Sequence, residues 1–153
     1  MTDTSPNTPS SATETLVAAT SVAIGGRAVL LTGQSGSGKS DLALRLIDRG
    51  AKLISDDYTL CRTSDSGLTA HAAPRIAGQM EVRHIGIITT SFVENVPIAL
   101  VVKLDDKPER MPSDNRHFDI MGRPVSEIAL NAFEPSAPIK VELALARLLG
   151  EQQ

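Results

Sequence analysis

Gly33-Gln34-Ser35-Gly36-Ser37-Gly38-Lys39-Ser40 decides how the rest of the chain is read. The stretch fits G-x-x-x-x-G-K-[ST] at every position, the form in which a loop turns backbone N–H groups toward phosphate oxygens. Its glycines permit dihedrals that a Cβ would obstruct. The helix expected next offers N-terminal amides and the positive end of its dipole. Lys39 can reach β- and γ-phosphates, and the Ser40 hydroxyl can ligate Mg²⁺. A flexible Gly/Ser linker could match the same pattern by chance, but its flanks argue against one. Residues 28–32 are a short apolar run suited to a strand buried on both faces. Over 39–49, Leu42/Leu46 and Ala43/Ile47 recur at helical spacing, and Gly50 stands where a C′ glycine would stop the helix.

Outward from this segment, residues 51–55 predict a second buried strand that ends in Asp56-Asp57. Ligands collect at the carboxyl ends of parallel strands, so these carboxylates should face the phosphates. One can hold Mg²⁺, directly or through water, and the other can accept a proton from an attacking hydroxyl. Asp also favours turns and helix N-caps, but a pair at this strand end favours the site. The short return from Lys39 to the acids suits a compact kinase.

The remaining pattern is richer in strands. Residues 16–24 predict a strand that ends at the turn Gly25-Gly26, and 58–62 with 68–72 flank TSDSG as a hairpin. Residues 82–90 and 98–104 are two further β candidates. Residues 105–116 read as a charged, proline-containing loop, and 122–137 as irregular with short strand-like pieces. Val141, Leu145 and Leu148 share one face of a helix over 139–149, with Pro138 at its first turn. The expected fold is a single-domain α/β protein: a P-loop kinase core with a mixed, strand-rich sheet.

Composition narrows the function. The chain has 153 residues, 41% hydrophobic and 22% charged, as expected of one globular domain. A net charge of −3 argues against a nucleic-acid or membrane-surface partner. Aromatics make up 3% with no Trp, so platforms for stacked nucleic-acid bases are not expected. Cys61 is a single cysteine in an apolar run, which excludes an internal disulfide and suits a small buried side chain. Residues 1–14 are Ser/Thr/Pro-rich without the features of a signal peptide, and no apolar stretch reaches membrane-spanning length. The expectation is a disordered tail, a domain over 15–150, and a cytoplasmic location.

GQSGSGKSDLALRLIDRGAKLISDD, residues 33–57, resembles the nucleotide-binding segment of HPr kinase/phosphorylase. AAPRIAGQMEVRHIGII, residues 72–88, is similar to that family's second signature, E-[VI]-R-x-[IL]-G-I-I. The likeness covers about 16–149 and resembles the short, alphaproteobacterial form that consists of the catalytic domain alone. It implies a fold like that of HPr kinase and phosphoenolpyruvate carboxykinase. It also implies phosphorylation of a serine on the phosphocarrier HPr, or on its nitrogen-related paralogue, with ATP and Mg²⁺. Phosphorolysis by inorganic phosphate, giving pyrophosphate, is implied in reverse.

By this resemblance, residues 33–40 bind ATP or pyrophosphate, Lys39 stabilises the transferred group and Ser40 ligates Mg²⁺. Asp57 is the proton acceptor, supported by Asp56, and Glu81 completes the metal site. Glu81, Val82, Arg83, Ile85 and Gly86 belong to the signature segment. Arg110 resembles a catalytic arginine, and Lys140 belongs to a late segment linked to dephosphorylation. From the residues alone, Glu81 reads equally as a surface glutamate and Arg110 as a solvated side chain. The sequence departs from the family at Ala18, where a catalytic His is usual, at His84, where Gly is commoner, and at Glu142-Leu143, where the late segment has Gly-Arg. A hexameric homo-oligomer is implied by the family. The competing functions are a small-molecule P-loop kinase and a catalytically silent nucleotide-binding regulator.

Overall fold

Strict alternation inside one short strand builds two cores. In the computed structural model, which describes residues 13–111 and 116–151, strand β3 (Arg27–Thr32) sends Val29 and Leu31 into one cluster and Ala28 and Leu30 into another. All four are fully buried. A strand covered on both faces needs no polar side, which is why its sequence reads as a continuous apolar run. On one flank β3 pairs in parallel with β9 (Val96–Leu104), and β9 pairs in parallel with β11 (Arg123–Leu130). On its other flank β3 pairs antiparallel with β2 (Thr20–Ile24) through the turn Gly25-Gly26, whose residues take φ 57 and 81. Strand β4 (Lys52–Ser55) pairs antiparallel with β2, so it runs in the direction of β3. The carboxyl ends of β4, β3, β9 and β11 therefore emerge at one edge of the sheet.

Two helices cover the first face. Helix α1 (Lys39–Asp48) buries Leu42, Ala43 and Leu46. It ends in a Schellman motif: Gly50, at φ 113, donates its N–H to the Ile47 carbonyl, and Ala51 donates to the Leu46 carbonyl. Helix α2 (Ala137–Glu151) buries Ala137, Val141 and Leu145 in the same cluster, with Pro138 in its first turn as expected. The opposite face is covered by β1 (Glu14–Val17), β5 (Thr59–Ser64) and β6 (Gly67–Ala72), arranged in that order and joined to β9 at Ala70↔Val96. Cys61 is buried in that second core. Strand β10 (His117–Ile120) pairs with β11.

Several boundaries differ from the sequence reading. The candidate strand 82–90 is the turn and far arm of a hairpin, β7 (Gln79–Val82) and β8 (Gly86–Thr89). His84 at φ 75 and Gly86 at φ 115 reverse the chain there. Within 122–137, read as irregular, β11 is a continuous strand of 8 residues; Pro124, Ser126 and Glu127 interrupt the apolar signal on a strand only partly buried. The run 16–24 breaks at Ala18-Ala19 into β1 and β2. Glu14, assigned to the tail, opens β1 opposite Arg62. The rest of the expected tail, residues 1–12, and the part of the 105–116 loop at 112–115 lie outside the described residues.

Candidate active site

The phosphate loop leaves β3 at Gly33 and enters α1 at Lys39. Gly33, Gly36 and Gly38 take φ 146, 85 and 96, in the region that excludes most side chains. Space adds a second constraint at Gly33, where a Cβ would lie 2.7 Å from Ser37 Oγ and 3.1 Å from the Leu104 carbonyl. The Lys39 ammonium curls over the loop and donates to the carbonyls of Gly33 (2.9 Å) and Gln34 (3.0 Å).

The acid pair divides into two environments. Asp56 is only 4% exposed. Its Oδ1 accepts hydrogen bonds from Ser40 Oγ (2.7 Å) and Thr20 Oγ1 (3.0 Å), and its Oδ2 accepts the Glu81 backbone N–H (3.0 Å). Such a set of donors is what a buried carboxylate requires. Asp57 is exposed and held at φ 64, with its N–H donated to Thr20 Oγ1 at 3.1 Å. Partial burial raises its carboxyl above the usual range, the charges of Asp56 and Glu81 add to this, and Lys39 opposes it. A raised carboxyl moves toward the working range of a general base.

Residues 33–40, Asp56, Asp57 and Glu81 are thus brought to one edge of the sheet. Thr20, which sequence reasoning missed, ties the two acids through a single hydroxyl. Its signal was a polar pair, Thr20-Ser21, both fully buried in a strand that lies between β3 and β4. Ala18 is an exposed residue in the bend before β2. In the signature hairpin, Val82 is half-buried while Arg83, His84, Ile85 and Gly86 are exposed. Arg110 and Lys140 do not line the phosphate loop. They share a separate cavity of about 400 Å³ with Arg116, Glu127 and Glu134, and Lys140 Nζ donates to Glu134 Oε1 at 2.8 Å.

The oxygen donors fit a magnesium ion. The Ser40 hydroxyl and Asp56 carboxylate already share one hydrogen bond, and Asp57 and Glu81 supply further hard oxygens close by. Among the described residues no group of three or more His, Cys, Asp or Glu forms a metal cage. Mg²⁺ usually takes one or two carboxylates and completes its shell with phosphate and water.

A glycine-rich turn between a buried strand and a helix, with a serine–carboxylate pair at a neighbouring strand end, defines a P-loop nucleotide-binding domain. The comparisons narrow that class. The family model described as HPr Serine kinase C-terminal domain matches residues 10–141, and the chain belongs to that family. It is 37% identical over 131 residues to the HPr kinase/phosphorylase of Clostridium botulinum, covering 78% of this chain and 43% of that protein. It is 36% identical over 118 residues to the HPr kinase/phosphorylase of Bordetella petrii, covering 69% of this chain and 38% of that protein. The chain therefore spans less than half the length of these curated relatives. The solved Hpr(Ser) kinase/phosphatase of Coxiella burnetii superposes with a TM-score of 0.74 at 29% identity, covering 90% of this chain and 93% of that one. The fold expected from sequence, a single-domain α/β core with a mixed, strand-rich sheet, is the fold observed. Among the described residues no helix is long and apolar enough to cross a membrane.

Proposed function

We propose that this chain transfers the γ-phosphoryl group of ATP to a serine hydroxyl of an HPr-type phosphocarrier protein. The observation that carries the reading is the division of labour between the two acids. Asp56 is buried and hydrogen-bonded to Ser40, whereas Asp57 is exposed with a raised carboxyl at the mouth of the same loop. The acceptor is suggested by the relatives, which are named for HPr.

In this mechanism the amides of residues 33–40 bind the phosphates, and Lys39 exchanges the Gly33 and Gln34 carbonyls for phosphate oxygens. The serine Oγ attacks γ-phosphorus in line, the bond to the β–γ bridging oxygen breaks, and ADP leaves. Asp57 accepts the serine proton. Mg²⁺, held by Ser40 and Asp56 with Glu81 nearby, would neutralise charge on the β- and γ-oxygens. Positioning and charge supply most of the rate. In the reverse sense, Asp57 takes the proton from an oxygen of inorganic phosphate as that oxygen attacks the phosphoserine phosphorus. The phosphorus–Oγ bond breaks, pyrophosphate is formed, and Asp57 passes the proton to the departing serine oxygen. Arg110 would neutralise developing charge and Lys140 would serve dephosphorylation; their common cavity supports a shared role near the incoming partner. A cytoplasmic homo-oligomer, hexameric by family analogy, completes the proposal.

The test is incubation of the protein with MgATP and purified HPr, followed by intact-mass and peptide spectrometry. One phosphate on an HPr serine is expected from wild type, and its initial rate of transfer should fall by about 10²- to 10⁴-fold in Asp57→Asn. Phosphorylation undiminished in the variant would remove the base assignment. Transfer to small metabolites instead of HPr would replace the acceptor.

A further inference from the structure

The site described so far accounts for phosphates and acids, but leaves a cavity on the other flank of the loop. The γ-phosphoryl group belongs beside Asp57 and Glu81, on the β4 side. The rest of a nucleotide must then extend away from them, toward the ends of β9 and β11. A cavity of about 600 Å³ lies there, between residues 33–37 and the segments containing Asp105, Asp106, Asn131 and Phe133. The ring of Phe133 is 67% exposed in a chain whose aromatics are only 3% of residues. It leans on the loop's last glycine, Gly38, where a Cβ would lie 3.3 Å from Cε1 and 3.4 Å from Cζ.

The turn that carries the ring is also held in place. The Phe133 backbone N–H donates to Asn131 Oδ1 at 2.9 Å, and Asn131 Nδ2 donates to the Asp106 carbonyl at 3.4 Å. The Arg45 guanidinium, on α1, donates to the Ala132 carbonyl and to the Glu134 carbonyl at 3.3 Å. The helix that receives the phosphates therefore also fixes the turn that carries Phe133. An exposed aromatic ring on a braced turn beside a phosphate loop offers a stacking platform. Asp105 and Asp106 place carboxylate acceptors, of the kind a ribose diol pairs with, on the same cavity wall.

We infer that Phe133 is the platform on which the heterocyclic base of the nucleotide donor stacks, with the Asp105-Asp106 turn facing the ribose. The inference rests on the P-loop reading above and adds a nucleoside subsite to it. Pyrophosphate, which has no base, should use the loop without Phe133.

The experiment is titration calorimetry of the full chain with ATP and with inorganic pyrophosphate, each with Mg²⁺, on wild type, Phe133→Ala and Phe133→Tyr. Loss of one stacked base weakens ATP binding by about tenfold in Phe133→Ala, while Phe133→Tyr stays close to wild type. Pyrophosphate affinity should be the same in all three. ATP affinity unchanged in Phe133→Ala would overturn the subsite alone. So would an equal weakening of both ligands, because the ring would then merely brace the loop. A wild type that takes up neither ligand would overturn the subsite together with the P-loop reading beneath it.

Discussion

Replacing Thr20 with valine tests the central geometry with little change of shape. The side chain is fully buried, and its hydroxyl makes one bond to each acid: it donates to Asp56 Oδ1 at 3.0 Å and accepts the Asp57 N–H at 3.1 Å. A bond to a charged group is worth about 1.5–3 kcal/mol, and a stranded buried N–H costs about 1–3 kcal/mol. Asp57 is exposed enough for water to relieve part of the second term, so the net loss should be about 3 kcal/mol. For a domain near this size that lowers the Tm by roughly 10 °C. The acids lose their common tether, and kcat should fall on the order of tenfold to a hundredfold. KM for ATP should move little, because the phosphate loop is untouched. Thr20→Ser keeps both bonds and should restore kcat, losing only the methyl contribution of about 1 kcal/mol. Calorimetric melting and steady-state kinetics on the three proteins decide the matter. A valine variant that melts within a degree or two of wild type with normal kcat would refute the tether.

Three other outcomes follow from particular residues. Asp57 has a folded-state carboxyl raised above its ordinary value, so its contribution to stability is complete below the usual carboxylate range and is lost as pH rises through the raised value. Asp57→Asn should therefore melt higher than wild type at neutral pH, with the gain vanishing in acid; asparagine tolerates φ 64. Equal melting curves across pH would contradict that account, whereas phosphotransfer should drop by about 10²- to 10⁴-fold. Gly33→Ala combines φ 146 with a Cβ 2.7 Å from Ser37 Oγ, and should abolish ATP and pyrophosphate binding alike while circular dichroism stays native. Retained calorimetric binding would show that the loop can yield. Cys61 is fully buried and its thiol is pushed up to about 11, so iodoacetamide at pH 8 should modify it only after denaturation; fast labelling of the native protein would be the contrary result.

The phosphate loop, α1 and the acid pair were legible in the sequence because each is specified locally. Glycine dihedrals, helical spacing and a strand end all lie between residues 28 and 57. The rest depended on partners far along the chain. Thr20 acts on Asp56 across 36 positions, a relation set by the pairing of β2 with β4 and without a sequence pattern of its own. β11 was obscured because a half-buried strand beside β9 carries mixed side chains. The hairpin β7–β8 was misread because His84 supplies a left-handed turn residue that usually announces itself as Gly or Asn. Arg110 and Lys140 could be placed in one cavity only after the chain was folded.

The insertion of β2, running backward between β3 and β4, has a consequence for how the reactive edge is supplied. A uniformly parallel sheet offers such an edge only residues that follow strands, whereas here the start of a strand arrives there too and delivers a hydroxyl. Side chains alternate along a strand, so slipping β2 by one residue would turn Thr20 to the opposite face and present a neighbour instead. The turn at Gly25-Gly26 sits at the far end of that strand, remote from any phosphate. By holding the pairing in step, two glycines that touch no reactant keep the acids aligned.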